Sequence, residues 1–352
     1  MSIPTFVVGT GRCGSTMLSN MLREHPQVLS LSEIFALVYD PAVPAILSSE
    51  PVEGRQFWEM IAGLGPFIRF MVRHGLGKPE LLYPFDAPSA RFSAETGVPA
   101  ILLTALPHLT DDFEALFDVL HDEVTTWPMA SVGEQYRRLF DWLQIRFGKQ
   151  MWIERSGFSH TWADQLLATF PDARIIHMVR DGRDTALSMQ AYVAFRLLFV
   201  MGTLEKTIGV NPIVSSDRSR IDRLPAELRP FLPEHFDLEA FGAFRPPLPA
   251  CGEFWAQNIG SGLEVLSELC AQRFLTLRYE DFFVDPKQQL DRLADFLGED
   301  FVDEDWSARC GATVRQPRSS WRDLPEEDAR ALTEACRPGF EQLAAAGVHY
   351  DV

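Results

Sequence analysis

The feature that most constrains this chain is the run Gly9-Thr10-Gly11-Arg12-Cys13-Gly14-Ser15-Thr16. It lies between a continuously apolar, β-branched stretch, Thr5 to Gly9, and a segment with Met17, Leu18, Met21 and Leu22 at helical spacing. A buried parallel strand that feeds a helix through glycines points backbone N–H groups and a helix N-terminus at one spot, and that makes a cradle for an anion. His25-Pro26 stops the helix, and Val28 to Leu31 reads as a second strand that delivers Ser32 and Glu33 at its carboxyl end. A nucleoside-triphosphate loop needs Gly-Lys-Ser/Thr at this place, whereas Ser15 follows Gly14 directly, which weakens the Mg-nucleotide reading. The bland alternative is a tight turn whose glycines serve geometry alone.

Alternation of strands and helices returns further along. Met151 to Glu154, Arg174 to Val179 and Phe274 to Tyr279 read as strands, Thr161 to Phe170 as a helix, and Asp285-Pro286 as the cap and first turn of a helix over Lys287 to Leu297. The expected fold is α/β: a P-loop-like parallel central sheet flanked by helices, with ligands at the carboxyl ends of the strands. Two stretches, about 36–149 and 193–252, look like insertions. The first is mostly helical in pattern, with amphipathic pieces at Asp111 to Val124 and Gly133 to Phe147. From Asn211 to Pro249 proline density rises, which predicts loops and short helices. Both insertions are expected to form the acceptor side of one domain spanning 1–352.

A second anion signal sharpens the first. Arg180 ends the strand Arg174 to Val179, and Ser188 lies eight residues on, in the following helix, so a forked donor and a hydroxyl face one phosphate. Two separate anion sites suit a nucleotide phosphorylated at both its 5′ and 3′ positions. Taken alone, Asp181-Gly182-Arg183-Asp184 reads as a solvated turn with local ion pairs.

Composition limits the partners. A formal net charge of −17 repels polyanions, so nucleic acid is not an expected partner. Five cysteines without a C-x-x-C and eight histidines without an H-E-x-x-H give no metal site and no disulfide framework. A strand beginning at Thr5 leaves no room for a signal peptide, and apolar stretches such as Val98 to Leu109 and Leu197 to Leu204 are shorter than the ~18 residues of a membrane span. The expected compartment is the cytoplasm, and a homodimer is the default for any oligomer.

Together these motifs resemble the PAPS-dependent sulfotransferase family, especially its bacterial carbohydrate-type branch and the protein-tyrosine sulfotransferases. Thr10 to Thr16 is similar to the family's 5′-phosphosulfate loop and Val179 to Ser188 to its 3′-phosphate motif; Phe170 to Arg174 and Leu277 to Asp281 extend the likeness. The resemblance implies 3′-phosphoadenosine-5′-phosphosulfate (PAPS) as sulfuryl donor and 3′,5′-ADP as product. It places Gly11, Arg12, Cys13, Gly14, Ser15 and Thr16 on the 5′ side, Arg180 and Ser188 on the 3′-phosphate, and Tyr279 near the adenine. Arg318-Ser319-Ser320-Trp321 resembles a diverged closing segment, with Arg318 and Ser319 over the phosphate. The chain departs from the cytosolic branch at Arg12, where lysine is usual, and at Met17, where a stacking tryptophan is expected; the terminal R-K-G is missing.

Sulfuryl transfer needs a base for the acceptor and relief of the charge that grows on the bridging oxygen. Arg12 is the candidate for the second task. Glu33, whose position resembles the catalytic glutamate of the tyrosine-sulfating relatives, is the candidate for the first; its bland reading is a helix N-terminal carboxylate or a salt bridge to a nearby arginine. His108 is the rival base, and Arg155-Ser156 and His160 lie near where relatives place a Lys-Ser pair. Cys13 reads as a small side chain whose thiol pKa the helix N-terminus would lower. Phe57 to Phe70 reads as core, with the lining of an apolar acceptor pocket as the alternative. The acceptor expected from all this is a hydroxyl or amine of a small molecule, lipid or glycan. Two competing readings are a P-loop-like nucleotide kinase, which requires Mg²⁺-ATP, and a non-catalytic nucleotide binder. The latter expects Glu33 tied into a buried ion pair with no open cleft beside Arg12.

Overall fold

The structure is a computed structural model that describes residues 2–38, 47–48, 50–77, 81–88, 90–316 and 320–352. The chain alternates β1 (Thr5–Val8), α1 (Ser15–Arg23), β2 (Val28–Ser32) and α2 (Ile34–Val38) before a long helical excursion, then resumes with β3 (Met151–Arg155), β4 (Arg174–Val179) and α3 (Gly182–Ala191). It continues through α4 (Val193–Ile208), α5 (Leu248–Leu266), β5 (Phe274–Arg278), α6 (Pro286–Leu297) and α7 (Glu326–Ala345). The five strands form one parallel sheet in the order β2-β3-β1-β4-β5. From β1 the chain moves outward to β2, returns to β3 and then crosses to β4, so the direction of winding reverses around β1 and opens a crevice at its carboxyl end.

Strand periodicity explains why both faces are covered. Phe6 and Val8 of β1, with Leu29, Leu31, Trp152 and Ile175, pack against the helical excursion through Phe35, Phe57, Tyr136 and Phe140. Val7, Val28, Ile153, Ile176 and Met178 point the other way, onto Leu18 and Leu22 of α1 and Leu290 and Leu293 of α6. Alternate residues thus serve opposite cores, and so these strands read as continuous apolar runs. Asp285 caps α6 by accepting from Gln288 N at 2.9 Å, as the sequence predicts.

The excursion contains helices Gly54–Ala62, Pro66–Arg73, Phe113–Val124 and Val132–Arg146. Phe57, Trp58 and Phe70 are buried in core, as expected for that segment. Residues 210–247 hold three short 3₁₀ turns and one short helix. The predicted helix from Thr161 begins instead as a 3₁₀ turn at Ser159 and becomes α-helical at Ala163. Helices α3 and α4 meet at 85° at Tyr192; among the described residues no single helix is long and apolar enough to cross a membrane.

Candidate active site

All the residues that the sequence singles out on strand ends gather at one edge of the sheet. Gly11, Arg12 and Gly14 have φ of +73°, +56° and +93°, a left-handed run that turns the chain sharply between β1 and α1. Glycine is obligatory at 14, where a methyl group would lie 2.2 Å from Cδ2 of Tyr279. Leu18 N makes the first bond of α1, to Gly14 O at 3.2 Å, and no side chain caps the helix. Among the described residues the amides of Gly11, Gly14, Thr16 and Met17 meet no protein acceptor. Uncapped amides at a helix N-terminus fit an anionic group.

The second anion site adjoins the first. Arg12 Nε donates to Ser188 Oγ at 3.0 Å, and its guanidinium lies 4.3 Å from the centroid of the Tyr192 ring. Arg180 Nη1 donates to the carbonyl of Arg12 at 3.3 Å, its guanidinium lies 4.8 Å from the Tyr279 ring, and its buried Nε has no protein partner. The loop, the end of β4 and α3 are therefore bonded together, and their cationic and N–H groups fit a ligand carrying two anionic groups. Tyr279 packs against Gly14 from the end of β5.

Glu33 follows β2, which β3 separates from β1, and has φ +61° directly before α2. Its Oε1 is ion-paired with Arg155 Nη1, and its Oε2 accepts from Gly157 N at 2.9 Å. The salt-bridge reading of Glu33 therefore holds, whereas the α2 amides are taken by Glu154 and Ser156 rather than by the Glu33 carboxylate. The Glu33 side chain keeps 23% exposure while Arg155 keeps 5%. Beneath it lies Glu154, 2% exposed, which accepts from Ser156 Oγ at 2.6 Å and Ile34 N at 3.2 Å. Ser156 Oγ in turn accepts from Phe35 N and Ala36 N at 3.0 and 3.1 Å. Glu154 and Ser156 thus fasten the first turn of α2 and with it the unusual backbone of Glu33. Burial, with the Glu33 charge adding to it, pushes the Glu154 carboxyl up to about 8. Sequence reading took Glu154 only as the end of a strand; a carboxylate inside the apolar run Met151-Trp-Ile-Glu was the available signal.

Other expectations fare differently. Cys13 is fully buried, so desolvation raises its thiol pKa where the helix N-terminus was expected to lower it, and only its backbone is left for a phosphate. Asp181-Gly182-Arg183-Asp184 is not a solvated turn. Asp181 caps α3 and pairs with Arg183 at 2.7 Å, both buried, while Asp184 accepts from Trp321 N at 2.7 Å. His108 is buried against β2, and burial, then Arg23 and Arg155, bring its pKa down to about 4. His160 turns away from the loop to face His177, with Nδ1 on the Asn258 carbonyl at 3.1 Å. Arg318 and Ser319 lie outside the described residues; Trp321, close behind them in sequence, stacks on Arg183 at 3.7 Å. Sequence reading missed the aromatic residues Phe158, Tyr192, Phe195 and Phe254. Phe195 lies against Gly11, where a methyl would come within 3.0 Å of its ring.

Fold and site together give a parallel sheet whose carboxyl edge gathers cationic side chains and amides that meet no protein acceptor among the described residues, a set that fits an anionic ligand. A family model described as "Sulfotransferase family" matches residues 4–239, and the chain belongs to that family. No curated protein matches in sequence. Among solved structures, the chain is similar to a sulfotransferase domain from the curacin biosynthetic pathway at 16% identity, covering 95% of this chain and 97% of that one with a TM-score of 0.42. It is similar to a sulfotransferase from Alicyclobacillus acidocaldarius at 17%, covering 100% and 98%, with a TM-score of 0.41. A retinol dehydratase, solved with androsterone and the inactive cofactor PAP, matches at 13% over 99% and 82%, with a TM-score of 0.35.

Proposed function

We propose that this sulfotransferase takes its sulfuryl group from PAPS and transfers it directly, without a metal, to a hydroxyl or amine of a small-molecule, lipid or carbohydrate acceptor. The observation that carries the reading is the bonded pair of anion sites: the amides of Gly11, Gly14 and Thr16, which meet no protein acceptor among the described residues, and Arg180 with Ser188 beside them. Loop amides and Ser15–Thr16 would hold the 5′-phosphosulfate, Arg180 and Ser188 the 3′-phosphate, and Tyr279 the adenine side, with Arg318 and Ser319 over the phosphate. In the transfer, the acceptor oxygen bonds to sulfur as the bond from sulfur to the bridging phosphate oxygen breaks, leaving 3′,5′-ADP. Arg12, joined to Ser188, would offset the charge growing on that bridging oxygen. Glu33 would take the acceptor's proton: each of its held oxygens keeps a second lone pair, and the side chain is reachable.

The Glu33–Arg155 pair meets half of what a non-catalytic binder requires. Against the other half stand Arg12, which is only half-buried, and Phe195, which touches Gly11 and also lines a cavity. A kinase reading lacks the loop lysine. We extend the proposal to a single cytoplasmic domain on the sequence argument alone. Single-turnover transfer of radiolabelled sulfate from PAPS to an acceptor panel, with calorimetric binding of 3′,5′-ADP, tests the reading; neither transfer nor binding would reject it.

A further inference from the structure

The aromatic residues beside the loop form a continuous wall. Phe195 lies against Gly11; Phe158 meets it edge-on at 5.4 Å and 87°, and stacks on Phe254 at 5.4 Å and 12°. Phe158 follows Gly157, whose amide holds Glu33, and Tyr192, under the Arg12 guanidinium, lies 5.9 Å from Phe195. One end of the wall therefore sits between the two groups proposed to act on the acceptor.

Phe195 and Phe254 of this wall also line a cavity of about 280 Å³. One face of α4 lines it, with Phe195, Leu198, Phe199 and Gly202 at helical spacing, while the opposite face (Leu197, Val200, Met201, Leu204) is buried in core. The cavity face is only half-buried although it is apolar, which leaves room on it for an apolar ligand. Gly202 stands over open space: a side chain added there would meet nothing within 4 Å. Exposed Lys206 and Glu253 sit at the cavity's far rim. Phe195 and Lys206 are eleven residues apart on one helix, about 16 Å along its axis.

We infer that the acceptor is a slender apolar alcohol or phenol rather than a glycan. Its hydroxyl lies at Arg12 and Glu33, its body against Phe158, Phe195 and Phe254, and its tail along α4 past Gly202. This inference rests on the sulfotransfer reading. A sugar pushed into such a cavity strands several hydroxyls, each costing roughly 5- to 150-fold in binding when left unpaired. Each methylene of an apolar tail, by contrast, gains about fourfold.

The test uses the full chain with radiolabelled PAPS and a series from phenol to 4-octylphenol, with glucose and glucosamine alongside. The expected result is kcat/KM rising about fourfold per methylene until the cavity is full, with no turnover of either sugar. Gly202→Leu, which the open space and the helical backbone accommodate, should leave 3′,5′-ADP affinity and phenol turnover unchanged and abolish the gain from longer tails. A protein that binds 3′,5′-ADP yet turns over no alkylphenol, prefers a sugar, or keeps its chain-length gain in Gly202→Leu overturns the inference. Failure to bind 3′,5′-ADP would instead overturn the donor reading beneath it.

Discussion

Replacing Glu154 by glutamine tests how the Glu33 backbone is held. In the native protein the Glu154 carboxyl keeps its proton up to about pH 8, chiefly because it is buried, whereas in the unfolded chain it loses the proton near the ordinary 4.5. The raised group contributes its full stability below pH 4.5 and loses it progressively as pH rises to about 8. More than three pH units at ~1.4 kcal/mol each make a loss on the order of 4–5 kcal/mol at most. Glutamine cannot ionise, but its carbonyl oxygen can still accept from Ser156 Oγ and Ile34 N. Urea unfolding of both proteins at pH 5, 6, 7 and 8 should therefore give nearly equal stability at pH 5. A growing advantage for Glu154→Gln is expected toward pH 8, the difference profile cancelling every other titration. If the two profiles run parallel, or the variant loses 2 kcal/mol or more at pH 8, Glu154 is an ionised partner of Arg155 and the reasoning fails.

Further outcomes follow from the same geometry. Gly14→Ala must adopt a left-handed backbone and displace the Tyr279 ring on which Arg180 stacks, so it should lose ~1–2 kcal/mol of stability and at least about tenfold in 3′,5′-ADP affinity by calorimetry. Glu33→Gln should reduce single-turnover transfer by about 100-fold or more while 3′,5′-ADP binding is kept; unchanged turnover removes the base assignment. Ser188→Ala removes the acceptor for Arg12 Nε and should lower kcat/KM by roughly tenfold, and an unaltered value would separate Arg12 from its proposed role. Burial holds His160 neutral down to about pH 4, and burial, then His160, brings His177 well below its ordinary 6.5. The His160 contribution to stability should therefore fall as pH drops from 6.5 toward 4, by roughly 3 kcal/mol. Urea unfolding of the native protein and His160→Gln at each pH should show the difference between them moving in the variant's favour by that amount as pH falls, and a constant difference would refute it.

The β1-loop-α1 unit was legible because its information is local: an apolar run, glycines and a helical repeat adjoin within one stretch of chain. Arg180 and Ser188 were legible for the same reason. Contacts that depend on strand order were not. Glu33 and Arg155 are 122 residues apart and meet only because β2 pairs with β3; Arg12 reaches Ser188 across 176 residues because β4 flanks β1. Cys13 was misread because its place beside a helix N-terminus is visible in sequence, whereas its burial depends on how the loop packs against β4. Phe158, Phe195 and Phe254 come from three separate elements, and nothing in their spacing announces a shared wall.

The bend of 85° at Tyr192 separates two jobs along a single stretch of backbone. On the proposed reading, Ser188 before the bend serves the donor and Phe195 after it the acceptor. If so, changes confined to α4 and the loops after it would retune what is sulfated while leaving the donor side as inherited. Such a bend would let targets change by exchange of a short cassette, with no rebuilding of the sheet.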